Sequence, residues 1–147
     1  MQVKVKIRYL EHHAGLPPLR RMTEGASGFD IEAACLHDII VEPGKAALIP
    51  AGFTLSIPAG YEAQVRPRSG LAIKNRIGLL NSPGTIDSDY RGEVCAILYN
   101  FGVETFVVRR GARVAQLVFC LLPAIELVED ERLDSTGRGA GGFGHTG

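Results

Sequence analysis

The chain has 147 residues, which suits one compact domain, and 46% of them are hydrophobic, enough apolar side chain for a real core. Sixteen Lys and Arg balance sixteen Asp and Glu, so the formal net charge is zero. That excludes a global field towards DNA or an anionic membrane, and a bound polyanion would need a local cluster of donors. No run approaches the roughly 18–20 apolar residues of a membrane helix. The opening MQVKVKI carries no basic region ahead of a long apolar run, so no signal peptide and a cytoplasmic location are expected. Cys35, Cys95 and Cys120 are odd in number and lack CxxC spacing. They read as small buried hydrophobes rather than a disulfide or zinc site.

In chain order, Val3–Ile7 alternates apolar and charged residues, the mark of a strand with one wet face. His12 and His13 belong to no pattern and read as surface residues. Short strands are then predicted over Ile39–Val41, Ala46–Ile49, Phe53–Ile57 and Tyr61–Arg66, with Pro-Gly-type turns between them. Ser69–Asn75 is the one predicted helix, with Ser69 as its candidate N-cap. Further strands follow over Glu93–Tyr99, Thr105–Val108, Val114–Leu122 and Ile125–Val128. Many short strands at regular spacing predict an all-β sandwich, jelly roll or barrel. No internal repeat or linker is visible, so a single domain is expected. The last fourteen residues, DSTGRGAGGFGHTG, offer almost nothing to bury except Phe143. Such a segment is either a disordered tail or a lid that orders over a ligand through its backbone N–H groups.

Three segments hold residue types that suit chemistry. In Pro67-Arg68-Ser69-Gly70-Leu71-Ala72 a guanidinium, a hydroxyl and free N–H groups meet at a helix start, which suits a phosphate or an ordinary cap beside a surface Arg. The run Asn81 to Gly92 resembles a hairpin with Asp87 and Asp89 on one face if it is extended; a tight turn would change that. A carboxylate there could hold a water as general base, or the run could be a polar turn. In the strand around Arg113–Phe119, alternation places Arg113, Ala115 and Leu117 on one face and Gln116 on the other with Val114 and Val118. A Gln among β-branched neighbours needs a partner, as a site residue or as a satisfied core amide.

Together and in order these segments resemble the trimeric dUTPase family, over about Leu16 to Gly147. Its five motifs are matched by Ala26-Ser27-Gly28-Phe29-Asp30-Ile31, PRSGLA from Pro67, GTIDSDYRGEV from Gly84, RGARVAQLVF from Arg110 and GRGAGGFGHTG from Gly137. The resemblance implies a jelly-roll or β-clip barrel over residues 1–133 with a flexible lid over 134–147. It implies hydrolysis of dUTP to dUMP and pyrophosphate by water that Asp87 activates. Tyr90 is then the aromatic under the deoxyribose, where a 2′-hydroxyl would clash. Asn81 reads the uracil edge with backbone groups of Gly84, Thr85 and Ile86. Arg68, Ser69, Gly70 and Gln116 face the phosphates, and Asp30 supports the site through an Arg and water. In the tail Phe143 stacks on uracil, while Arg138, His145 and Thr146 reach the γ-phosphate with the N–H groups of Gly142 and Gly144. Mg²⁺ is implied on the triphosphate oxygens with water, without a direct protein ligand. A homotrimer is implied, with each site shared between subunits. Gly70 and His145 stand where many relatives carry Ser. A dCTP deaminase shares the fold and would need a Glu near the pyrimidine, for which Glu93 is placed; a non-catalytic nucleotide-gated regulator is the other alternative.

Overall fold

A computed structural model describes residues 2–144, and the expected all-β architecture is what it contains. Ten strands, one helix and one 3-10 turn make up the regular structure of those residues. The strands are β1 (Lys6–Tyr9), β2 (Phe29–Glu32), β3 (Ile39–Val41), β4 (Ala46–Ser56), β5 (Tyr61–Arg66), β6 (Ile77–Leu79), β7 (Gly84–Ile86), β8 (Glu93–Asn100), β9 (Phe106–Val108) and β10 (Arg113–Leu121). Helix α1 spans Ser69–Asn75 and the 3-10 turn spans Glu11–His13. One antiparallel sheet runs β1-β4-β8-β6 and a second runs β2-β10-β5-β7, with β3 and β9 as a separate ribbon. Inward side chains of both sheets and the ribbon, among them Ile49, Phe53, Leu98, Ile31, Val65, Leu117, Val41 and Val108, share one buried cluster. Period-2 alternation builds that cluster. In β8, Val94, Ala96, Leu98 and Asn100 all face inward.

Asn100 is the polar member of that row. Its amide donates to the carbonyls of Val41 and Glu104 at 2.9 and 2.7 Å, and its Oδ1 accepts from Gly102 N–H at 2.9 Å. Every polar atom of the side chain is therefore partnered, which offsets the cost of burying it. These bonds tie β3 to the turn that leads into β9.

Several sequence expectations need correction. The segments read as two strands, Ala46–Ile49 and Phe53–Ile57, are one long strand, β4. Pro50-Ala51-Gly52 is a bulge rather than a turn: the register against β8 steps from Pro50↔Cys95 to Thr54↔Glu93. Gly52 supplies the positive φ of 75° that this irregularity needs. Ser69 is the first helical residue, and Arg68 is the N-cap, without a side-chain cap bond. Strands β2 and β6 were not expected. Ile125–Val128 is not a strand, for no strand pairs with it, and Ile125, Leu127 and Val128 are exposed. The three cysteines are free, as expected, with Cys35 buried and the others half-buried.

His12 and His13 are not surface residues. His13 is 9% exposed and its ring lies 4.3 Å from that of Tyr9. Burial, and then the Arg110 guanidinium, push its pKa below the usual 6.5 against an opposing pull from Glu32. His13 is therefore neutral in the fold at pH values where the unfolded chain already takes up a proton. That difference leaves stability flat above the unfolded value and lowers it as pH falls through 6.5 towards the depressed folded value. Urea unfolding midpoints should accordingly fall between about pH 7 and pH 5.5, and His13→Gln should flatten that part of the slope.

Candidate active site

The second sheet gathers the polar motif residues on its outer face. Strand β10 lies between β2 and β5, with Gln116 opposite Asp30 on one side and Arg66 on the other. Asp30 forms ion pairs with two guanidinium groups: Arg68 Nε lies 3.2 Å from Oδ1, and Arg113 Nη1, which also donates a hydrogen bond, lies 3.3 Å from Oδ2. Arg68 also donates to the Arg113 carbonyl at 3.2 Å. One carboxylate, 17% exposed at its side chain, thus orients an Arg at the head of α1 and an Arg at the head of β10.

Arg113 reaches Asp30 because of a bulge. Arg113 pairs with Glu32 but Ala115 pairs with Ile31, so Val114 is an extra residue. Val114 and Ala115 are both buried in succession, at 2% and 0% exposure. Strict alternation had put Arg113 with Ala115, opposite Gln116. The bulge reverses that: Arg113 shares the face of Asp30, Glu32 and Gln116.

Gln116 donates from Nε2 to the Pro67 carbonyl at 3.0 Å, which pins it against the start of the Arg68-Ser69-Gly70 segment. Gly28 makes room for it. A Cβ at position 28 would collide with Gln116 Oε1 and sit 3.3 Å from its Cβ and Cδ. The glycine of the first motif is therefore a steric requirement of the amide of the fourth, a relation that spacing along the chain does not reveal. In α1 the first intrahelical bond is Ala72 N–H to Arg68 C=O, so the N–H groups of Ser69, Gly70 and Leu71 have no helical partner.

The third motif forms a separate cluster. Strand β7 carries Gly84 and Ile86 inward and Thr85 outward, and Asp87 follows on an exposed turn closed by Tyr90 N–H to Asp87 C=O at 3.2 Å. The turn breaks the extended relation of Asp87 to Asp89. Arg91 Nη1 donates to the carbonyls of Ser88 and Tyr90 at 2.7 and 3.0 Å and so stiffens it. Among the described residues no hydrogen bond or ion pair occupies the Asp87 carboxylate. Asn81 is exposed, its amide packed over Gly84, where a Cβ would lie 3.0 Å from Nδ2. The Tyr90 ring covers Gly92, where a Cβ would collide with the ring, and its hydroxyl donates to the Glu93 carbonyl at 3.1 Å. Glu93 itself accepts on Oε1 from His12 Nε2 at 2.6 Å and from Gly52 N–H at 2.8 Å.

The two clusters meet through the β5–β7 ladder, where Val65 pairs with Gly84, but not through side chains. Among the described residues no hydrogen bond or ion pair links Asp30, Arg68, Ser69 and Gln116 to Asn81, Asp87 and Tyr90. Among the described residues no hydrogen bond or ion pair joins the tail to either cluster. Arg138 donates to the Gly141 carbonyl at 2.7 Å, within the tail, and Phe143 is wholly exposed at a φ of 51°. Gly142 and Gly144 flank it, and His145 and Thr146 lie outside the described residues. No group of three or more His, Cys, Asp or Glu side chains that could hold a metal occurs among the described residues.

Comparison with known proteins fits this arrangement. A chain of Caulobacter vibrioides, the deoxyuridine 5'-triphosphate nucleotidohydrolase, is 52% identical over 145 residues, spanning 97% of this chain and 94% of that one. The Staphylococcus bacteriophage 80alpha dUTPase, solved with dUPNHPP, superposes with a TM-score of 0.82 at 25% identity, over 98% of each chain. The dUTPase of phage phi11 of S. aureus, solved to show coordination of a structural Mg(II) ion, superposes at 0.78 with 23% identity, over 90% of this chain and 99% of that one. The sequence model of the dUTPase family matches residues 16–147, and the chain, by that match and its 52% relative, belongs to the dUTPase family.

Proposed function

We propose that the protein hydrolyses dUTP to dUMP and pyrophosphate. The observation that carries the reading is the Asp87 carboxylate, exposed on a turn that Arg91 and Tyr90 fix, in a chain of the dUTPase family. Asp87 takes a proton from a water that attacks the α-phosphorus in line, the bond to the bridging oxygen breaks, and pyrophosphate leaves. Arg68, Ser69, the N–H of Gly70 and Gln116 receive phosphate oxygens, with Arg68 held in orientation by Asp30. Asn81 and the backbone of Gly84, Thr85 and Ile86 read the uracil edge. Tyr90, seated over Gly92, blocks the place of a 2′-hydroxyl.

Mg²⁺ is proposed as the cofactor, carried on triphosphate oxygens and water. An exposed Asp87 and a cationic Arg68 fit a charged metal–triphosphate as substrate, and the metal supplies charge neutralisation and a fixed phosphate geometry when bound. A direct protein ligand is not part of this proposal.

The lack of side-chain bonds between the motif clusters among the described residues supports a homotrimer whose sites are shared between subunits, with no part for nucleic acid or membrane. The exposed apolar residues Ile125, Leu127, Val128 and Leu133, between β10 and the tail, support the same reading, for a lone chain leaves them in water. Residues 1–133 then form the β-domain and 134–147 the lid, in which Phe143 stacks on uracil. Arg138, Gly142, Gly144, His145 and Thr146 close on the phosphates. Among the described residues no helix is long and apolar enough to cross a membrane, and a cytoplasmic site of action is proposed. Against the deaminase reading, the Glu93 carboxylate is held on Oε1 by His12 and Gly52.

Steady-state pyrophosphate release from dUTP, with dTTP, UTP and dCTP as comparisons, tests the activity; equal use of UTP and dTTP would overturn it. Asp87→Asn should lower turnover about 100- to 10,000-fold while calorimetry finds dUTP binding nearly unchanged. Truncation after Ser135 should remove most activity and leave the thermal unfolding curve in place. Gly28→Ala should turn the Gln116 amide away from Pro67 and lower kcat/KM about tenfold, the scale of one lost phosphate contact. Its stability should change by less than about 1 kcal/mol, since the displaced atom ends a flexible side chain.

A further inference from the structure

We propose that His12 is a positioning residue for sugar selectivity, acting through Glu93 on Tyr90. The proposal rests on the reading of Tyr90 as the group that excludes a 2′-hydroxyl.

The Glu93 carboxylate oxygen Oε1 receives two donors, His12 Nε2 at 2.6 Å and the Gly52 N–H at 2.8 Å. Both come from outside the third motif. Gly52 sits in the β4 bulge, where departure from the ladder frees its N–H for a side chain. The Gly52 carbonyl accepts from Leu10 N–H at 2.8 Å, which lays the 3-10 turn across the bulge. The fit is close: a Cβ on Gly52 would lie 2.8 Å from Ala34 Cβ and 2.9 Å from His13 Cβ. The turn is held from behind as well, since Arg110 donates from Nη2 to the Ala14 carbonyl at 2.7 Å. His12 is therefore delivered to Glu93 by a fixed scaffold.

Glu93 is the first residue of β8, and its pairing with Thr54 is the last beyond the bulge. Strand ends open most readily, and this end carries the carbonyl that accepts the Tyr90 hydroxyl at 3.1 Å. The two donors on the carboxylate clamp that residue, so the acceptor of Tyr90 stays in place. The Tyr90 ring is thereby held over Gly92 rather than free to swing outwards. The turn that carries Asp87 has its own brace in Arg91, bonded to the Ser88 and Tyr90 carbonyls. The clamp thus bears on the sugar pocket more than on the water-activating carboxylate.

The test measures kcat and KM for dUTP and UTP in the full-length enzyme. His12→Ala should lower the dUTP-over-UTP ratio of kcat/KM about five- to tenfold, mainly through a lower KM for UTP, with kcat for dUTP within about twofold. Glu93→Ala should do the same, and Glu93→Gln, which keeps an oxygen acceptor for both donors, should recover most of the ratio. Tyr90→Phe removes the hydroxyl through which the clamp acts, so His12→Ala added to it should cause no further loss. A His12→Ala enzyme with a lower melting temperature but wild-type KM and selectivity would overturn the proposal. So would full additivity of His12→Ala with Tyr90→Phe. A Tyr90→Ala enzyme that still rejects UTP would instead remove the reading of Tyr90 itself, and the clamp with it.

Discussion

The arrangement of the site depends on the Asp30 carboxylate. It lies on β2, yet it orients Arg68 from the β5–α1 junction and Arg113 from the start of β10. Three separate stretches of chain converge on two oxygen atoms. Arg68 would otherwise be a long, rotamer-rich side chain at a helix start, and ordering it on substrate would cost entropy at each turnover. With one carboxylate shared between two guanidinium groups, the cluster keeps positive charge in excess. The ion pairs fix geometry without cancelling the attraction for an anion. Their partial exposure keeps their contribution to folding small, so their value lies in orientation.

The second sheet provides that convergence through ordinary pairing. Gln116 is a neighbour of both Asp30 and Arg66 because β10 is central, and its amide locks onto Pro67. The third-motif run of Asn81, Asp87 and Tyr90 flanks β7, the edge strand of the same sheet, and ends at the start of β8 in the first sheet. Among the described residues no side-chain hydrogen bond or ion pair joins the two clusters, nor either cluster to the tail stretch that carries Arg138 and Phe143. A fold of this size has one core and two faces to offer. Assembly from several copies is a way to surround a triphosphate from more sides than one such domain presents.

Much of the fold was legible from alternation and turn residues. Tyr61–Arg66 and Ser69–Asn75 occur with the bounds expected, because each carries a clean period and sharp punctuation. Strands β2 and β6 were missed, since Phe29–Glu32 holds two acidic residues and Ile77–Leu79 a central Gly, whereas Ile39–Val41 of equal brevity is a pure β-branched run. The Pro50-Ala51-Gly52 run has the composition of a turn, and only pairing with β8 on both sides shows it to be a bulge. Ile125–Val128 has strand composition but no partner in its own chain, and composition cannot supply one. The motif residues were legible through family resemblance, which gives roles but no contacts. The dependence of Gln116 on Gly28, and of Glu93 on His12, joins residues more than eighty positions apart, and no local pattern encodes it.

The extra residue at Val114 carries a consequence for how this strand can change over time. A pleated strand assigns its side chains strictly to two sides, so one strand ordinarily cannot send Arg113 and Gln116 to the same side three positions apart. The bulge shifts the frame once and lets β10 do so, with Val114 and Ala115 both given to the interior. Removing a single codon there would keep every hydrophobic residue in the interior from Ala115 onwards, and the strand would still pair. It would also leave Arg113 two positions from Gln116, on the same side of the sheet and still opposite Glu32. A lineage that lost that residue would give up the interior side chain of Val114 and keep both guanidinium groups on the side of Asp30.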